Sequence, residues 1–293
     1  MKIWTEEKKH ILASPGVYNL GIRSAGFIPK RVAYAVAGVV ADLSYAFYAS
    51  ASVNLKANLA RVFPSASRTE LDSIARKTFR NYSKYIVDYA RFKTMDRAGL
   101  FRELVRIDGT ERIDSALSTG KGLILLTAHL GNWELGGIFF GRQDIKINIL
   151  TARDSDAEIH AIKDRYRQFH NIKTIVIGDG PFSGVEALNA LLRNEVVAML
   201  VDRTETAGVS VPFFGHATSF PSGPLLLAAA SGAPIMPAFV VRESYGYRAV
   251  AEELIYYDRA NGATDREVAA CVLTVFERYI RQYADQWYNF VPI

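Results

Sequence analysis

The sequence predicts an α/β domain on a mostly parallel central sheet, preceded by a helical region, and two observations carry that prediction. From Gly120 onward, short continuous apolar runs alternate with stretches of helical periodicity, the pattern of βα units whose strands are buried on both faces. Before Lys93 the apolar residues recur at the three- and four-residue spacing of amphipathic helices. The boundary is expected near residue 95, dividing a helical region over 1–95 from an α/β domain over 96–293.

In the region Phe27–Leu55, Lys30 and Arg31 precede an apolar tract that is broken by Asp42, Ser44, Ser50 and Ser52. An aspartate at the centre of a membrane-spanning helix costs roughly 2.5–3.5 kcal/mol on insertion scales. The tract is therefore expected to form one or two helices that bury against the domain or lie in a membrane interface; a wholly soluble helical hairpin is the alternative. Thr69 with Asp72 resembles a capping box. Beyond it Leu71, Ala75, Phe79, Tyr82, Ile86 and Tyr89 mark one helix face, and Arg76, Lys77, Arg80, Lys84 and Arg91 the other.

Strands are expected at Gly122–Ala128, Lys146–Thr151, Ile172–Gly178, Val196–Asp202 and Ile235–Val241, with Tyr247–Leu254 as an edge strand. Helices are expected near Leu135–Phe140, Ala157–Phe169, Phe182–Arg193 and Pro224–Ala230. A final helix starts at Thr264–Asp265 and runs to about Tyr283, with Cys271 packed inside it.

Of 293 residues 49% are hydrophobic and 22% charged, which excludes a disordered polymer or a disulfide scaffold. The lone cysteine forms no internal disulfide, and no Cys/His spacing suggests a metal site. A net charge of +5 suits an anionic membrane surface or an acidic cofactor and is too small to imply nucleic acid. Met1–Leu12 lack the basic-then-apolar order of a secretory signal.

The chemistry concentrates in Thr127–Gly137. His129 follows a buried strand, Gly131-Asn132 supplies a turn and a helix cap, and Glu134 falls in the first turn of the next helix. Ligands in α/β folds sit at such carboxyl ends of strands. The spacing allows the Glu134 carboxylate to fold back on the imidazole, fix its tautomer and leave the other nitrogen as a base. A helix-dipole role for Glu134 explains the same spacing without chemistry. Neither a G-x-S-x-G elbow, a phosphate loop nor a dinucleotide fingerprint is present. The base is therefore expected to activate a hydroxyl of the substrate.

His-Leu-Gly-Asn-Trp-Glu (129–134) is similar to the H-x-x-x-x-D/E motif of the glycerolipid acyltransferase superfamily, in the form found in its bacterial lipid A biosynthesis branch. The likeness extends through Val53-Asn-Leu-Lys-Ala-Asn-Leu-Ala-Arg-Val-Phe-Pro64, Phe79-Arg-Asn-Tyr82, Asp202-Arg203, Val209–Gly215, Phe220–Pro224, Gly232–Pro237 and Gln286-Trp287. It implies an αβα sandwich and transfer of a fatty acyl chain from acyl carrier protein or coenzyme A to a hydroxyl of a membrane glycolipid of lipid A precursor type. No cofactor is implied beyond that thioester co-substrate. A lysophospholipid or mannosylated lipid is the alternative acceptor, and a catalytically silent lipid-binding protein the alternative of another class. Thioester hydrolysis is disfavoured, since nothing marks an activated water or serine.

By the resemblance His129 is the general base and Glu134 its partner, while Asp202, at another strand end, competes with Glu134 to orient the ring. Arg167, ahead of Arg165, is implied as the functional arginine for the oxyanion, beside the amides near Asn132. Arg153 and Arg203 are candidates for anionic groups, and Phe214, Gly215, Pro221 and Gly223 for an acyl or lipid channel. Arg23, Lys30, Arg31, Lys56 and Arg61 are candidates to meet anionic headgroups, which places the chain at the cytoplasmic face of the bacterial inner membrane as a peripheral or monotopic protein.

Overall fold

The computed structural model describes residues 28–92, 95–141, 145–152, 157–177, 183–204 and 208–293. Helices α1 (Lys30–Phe47), α2 (Ala49–Val62), α3 (Arg68–Phe92) and α4 (Arg97–Glu103) precede the first strand. The order is then β1 (Leu104–Asp108), α5 (Thr110–Ser118), β2 (Leu123–Thr127), α6 (Trp133–Gly141), β3 (Ile147–Ala152), α7 (Ala157–Phe169), β4 (Ile172–Ile177), α8 (Ser183–Leu192) and β5 (Val196–Leu200). It continues with β6 (Gly208–Phe213), β7 (His216–Pro221), α9 (Gly223–Ser231), β8 (Ile235–Glu243), β9 (Gly246–Ala251) and α10 (Asp265–Gln282).

Seven strands form one sheet in the order β1-β9-β8-β2-β5-β3-β4. All neighbours are parallel except β8 and β9. The side-chain alternation of β2 shows how the sheet is sandwiched. Leu123 and Leu125 share a core with α3, α5, α6 and α7 residues such as Phe92, Ile113, Ile138 and Tyr166. Ile124 and Leu126 join Ala187, Leu191, Leu225 and Phe276 of α8, α9 and α10 on the opposite face. Both faces being covered, the central strands read as unbroken apolar runs.

Four expectations need correction. The strand at Gly246–Ala251 lies inside the sheet, because β1 pairs parallel on its outer side. Charged Arg106 and Asp108 break the apolar pattern of β1, and Asp108 bonds Arg248 of β9 at 2.6 Å. Residues 208–221, where no strand was expected, form a hairpin whose turn places Phe214 and Gly215 at φ 50° and 78°, the left-handed pair that two-residue hairpins need. The α3 cap is Ser67, whose hydroxyl accepts from the Glu70 amide at 3.3 Å. Asp72 accepts instead from Tyr45 at 2.5 Å and Lys56 at 3.2 Å. Cys271 is exposed rather than packed.

The N-terminal helices bury a small core of their own, Ala41, Leu55, Leu59, Ala75 and Phe79, with Ala284 of the C-terminal segment. Asp42 faces α3, where Arg80 and Arg76 bond it at 2.5 and 3.0 Å and hold its carboxyl well below the usual carboxylate range. Among the described residues no single helix is long and apolar enough to cross a membrane; α1 and α2 reach that composition only as a pair, bent by 89°.

Candidate active site

β2 and β5 are adjacent and in register, Thr127 opposite Leu200. Two residues beyond each of those ends stand His129 and Asp202. That shared register brings their side chains together: His129 Nδ1 lies 2.7 Å from Asp202 Oδ1. Asp202 is buried, whereas the His129 side chain keeps 19% of its surface exposed. With Nδ1–H donated to the carboxylate, Nε2 carries the free lone pair.

Burial, then the neighbouring Arg203, pushes the His129 pKa below its ordinary 6.5, with Asp202 pulling the other way and Lys163 adding to the fall. For Asp202, burial alone raises the pKa, but His129, the Trp287 indole and Arg203 together leave the carboxyl below the usual range. The pair therefore rests as neutral imidazole and carboxylate, the state a general base requires.

Glu134 does not reach the imidazole. Placed in the first turn of α6, it points across to α7 and accepts from Arg167 Nη2 at 2.7 Å. Both side chains are almost sealed, at 4% and 8% exposure. A helix rises on its cylinder immediately after Asn132, so the fifth residue past His129 turns away from the strand axis. The two acids at the site thus divide: Asp202 on the imidazole, Glu134 on the arginine.

Gly131 sits at φ 64°, where a Cβ would stand 2.1 Å from the Val240 carbonyl oxygen, so only glycine makes this turn. Asn132 is completely buried. Its Oδ1 accepts from the Leu135 amide at 3.1 Å, capping α6, and its amide donates to the Tyr247 hydroxyl at 3.3 Å. Trp133 places its ring 5.4 Å from His129 and stacks on Tyr85 of α3 at 4.7 Å. The helical region thereby contributes a wall of the site.

Arg203 is partly buried beside Asp202, and its Nε has no hydrogen-bond partner among the described residues. Arg165 is exposed and bonds back to Ala161 O at 3.2 Å on its own helix. Arg153 lies outside the described residues. Phe214, Gly215, Pro221 and Gly223 belong to the hairpin and the start of α9, on the α10 side of the sheet; the Phe214 amide donates to Glu277 at 2.5 Å. The structure does not bring these four to the apolar cavity described below.

Sequence reasoning missed what holds the pair. Trp287 Nε1 donates to Asp202 Oδ2 at 2.8 Å, Asn289 Nδ2 donates to the Asp202 carbonyl at 3.1 Å, and the Tyr288 amide donates to the His129 carbonyl at 2.7 Å. The only signal for them was Gln286-Trp287 among the resembling blocks.

A narrow apolar crevice, with about 70 Å³ of free space, lies between α6 and the sheet. Thr127, Leu200 and Trp133 form its end nearest His129, and it extends past Gly136, Ala238 and Ala249 to Ile107 and Ile113.

Residues 8–292 match the family described as bacterial lipid A biosynthesis acyltransferase. The chain belongs to that family. Among curated proteins it is 28% identical over 281 residues to a phosphatidylinositol mannoside acyltransferase of Mycolicibacterium smegmatis, covering 94% of this chain and 89% of the relative. A protein of the same name from Mycobacterium tuberculosis (strain CDC 1551 / Oshkosh) is 30% identical over 196 residues, covering 66% of this chain and 62% of the relative. This family member is thus a lipid acyltransferase, and the pocket beside its histidine is the place to look for a lipid acceptor and an acyl donor.

Proposed function

We propose that the protein transfers a fatty acyl chain from an acyl thioester, on acyl carrier protein or coenzyme A, to a hydroxyl of a mannosylated phosphatidylinositol. The observation that carries the chemistry is the His129–Asp202 contact of 2.7 Å beside an apolar cavity. The names of the two relatives support the acceptor. A lipid A precursor is the second reading, favoured by the description of the family.

His129 Nε2 takes the proton of the acceptor hydroxyl, and Asp202 stabilises the imidazolium that forms. The hydroxyl oxygen attacks the thioester carbonyl, making the C–O bond and a tetrahedral oxyanion. Collapse breaks the C–S bond, and the departing thiolate takes the proton from His129. The amino end of α6 and the cation of Arg203, both next to the pair, are the groups that would stabilise this oxyanion. Arg203 also suits the phosphate of an anionic donor or acceptor. Arg167 supports α6 through Glu134 rather than facing the reacting atoms.

The acyl chain enters the apolar crevice beside α6, whose walls must part to admit it, each buried methylene contributing about 0.8 kcal/mol. Gly136 lines it, and a Cβ there would stand 3.2 Å from Val240 Cγ2. Gly136→Leu is expected to exclude roughly four methylenes and so shift the preference for hexadecanoyl over decanoyl thioester by roughly 100-fold. Competition between the two donors in one assay measures it; an unchanged ratio places the chain elsewhere.

Attachment is to the cytoplasmic face of the bacterial inner membrane, as a peripheral or monotopic protein. Val32, Val36, Val39, Leu43 and Phe47 form a continuous exposed stripe on α1, Val39 at 62% and Phe47 at 80% exposure. A face of this kind lies in the headgroup boundary. The chain should pellet with phosphatidylglycerol vesicles and the double variant Val39→Asp/Phe47→Asp should not; pelleting of variant and wild type alike contradicts the role of α1. The function itself is tested by incubating purified chain with hexadecanoyl-CoA and, separately, phosphatidylinositol mannoside or a lipid A precursor. Mass spectrometry should show one acyl chain added to the mannoside. Release of free fatty acid with neither lipid acylated would mark a hydrolase.

A further inference from the structure

Beyond a 3-10 turn at Ala284–Gln286, the end of the chain forms no helix or strand. Yet Trp287 and Asn289 are fully buried. Irregular segments normally run over the surface, because their backbone polar groups need partners. Here those partners come from two sides. Towards the site, the Gln286 carbonyl accepts from Gly131 N at 3.0 Å, while Trp287, Tyr288 and Asn289 hold Asp202 and His129 as described. Towards the N-terminal helices, the Asn58 amide donates to the carbonyls of Asn289 and Val291 at 2.9 and 2.8 Å. Asn54, one turn earlier on α2, donates to Phe290 O at 3.1 Å, and Asn81 of α3 to Asp285 O at 2.9 Å. The Phe290 ring packs edge-on against Phe79 and Tyr82, at 5.1 and 5.4 Å.

These contacts account for the two N-terminal blocks, around Asn54–Asn58 and Phe79–Tyr82, which lie far from the chemistry in sequence. They grip the segment that grips the acid. We propose that residues 285–291 are a positioning strap: Asn58 holds the segment in place, and Trp287 engages the Asp202 oxygen that does not face His129. The proposal rests on reading His129 and Asp202 as the general-base pair. A carboxylate with one oxygen on an indole N–H has only the other to offer the imidazole. The Trp287 ring is itself fixed between the sheet and Phe213 and Phe214, whose centroids lie 6.4 and 6.0 Å away. Neither Asn58 nor Trp287 is charged. Changing them leaves the charges that face the pair, Arg203 and Lys163, as they are.

The test uses the full chain, with the His129 ring followed by NMR through a pH titration and identified by its loss in His129→Ala. Turnover is measured in parallel with hexadecanoyl-CoA and phosphatidylinositol mannoside. Trp287→Phe keeps a ring in the core and removes the donor. A carboxylate that has lost a neutral donor is more basic and stabilises the imidazolium more, so His129 should titrate at higher pH. The acidic limb of kcat should follow, kcat should fall about 10-fold or more, and both KM values should stay within about twofold. Asn58→Ala should move the titration in the same direction by less. An unchanged titration and kcat in Trp287→Phe, with Asp202→Asn inactive, overturns the strap and leaves the base pair standing. An active Asp202→Asn removes the base pair, and the strap with it. Should Trp287→Phe not fold, Asn58→Ala decides: lower thermal stability with unchanged titration and kcat overturns the proposal.

Discussion

Asp202→Asn is expected to lower kcat by roughly 10³- to 10⁴-fold, as loss of the acid that orients a catalytic histidine does elsewhere. The amide conserves volume, so the variant should fold. It either presents its oxygen to Nδ1 without the charge that stabilises imidazolium, or turns its NH₂ to the ring and drives the proton onto Nε2, where the base must be free. The wild-type pH profile carries the same physics. Burial and Arg203 depress His129 below its ordinary 6.5, so neutral base persists to lower pH, and activity should be lost only as pH falls below that value. Removing the Asp202 charge depresses the residual base further, shifting what remains of the acidic limb to lower pH. Steady-state kinetics across pH measures both, and a limb above 6.5 would contradict the assignment.

Glu134→Gln is expected to act on stability first. Arg167 keeps its charge in a nearly sealed site because Glu134 more than offsets the burial that opposes it. Removing the carboxylate leaves that cation without compensation, a loss of about 3–5 kcal/mol for a buried pair. A pair of well-packed apolar side chains has no such charge to satisfy, so Glu134→Leu/Arg167→Met should recover most of the loss. Denaturant unfolding of the wild type, the single variant and the double variant gives the comparison. A Glu134→Gln chain as stable as wild type but without turnover would move Glu134 from the scaffold to the reaction.

The strands that carry the site were legible because they are buried on both faces: Gly122–Ala128 and Val196–Asp202 read as unbroken apolar runs, and their register then dictates that His129 and Asp202 meet. The edge strand β1 was not legible. Two of its five residues are exposed, and Arg106 and Asp108 interrupt the apolar pattern. The choice between Glu134 and Asp202 stayed open in sequence because both acids follow strand ends. Only the direction in which α6 departs decides it. The same limit hid the strap, since a hydrogen bond from Asn58 to a backbone carbonyl 231 positions away leaves no periodicity to read. Asp42, by contrast, was legible as a residue that a membrane-spanning helix would not hold, and α3 supplies its partners, Arg76 and Arg80.

The most direct measurement is a single-turnover assay of purified wild type and His129→Ala with radiolabelled hexadecanoyl-CoA and phosphatidylinositol mannoside, counting label in the lipid and in free acid. The wild type should place the label in the mannoside, and His129→Ala, folded to the same thermal midpoint, should place none there. Label reaching the lipid at the wild-type rate without this imidazole would contradict the account.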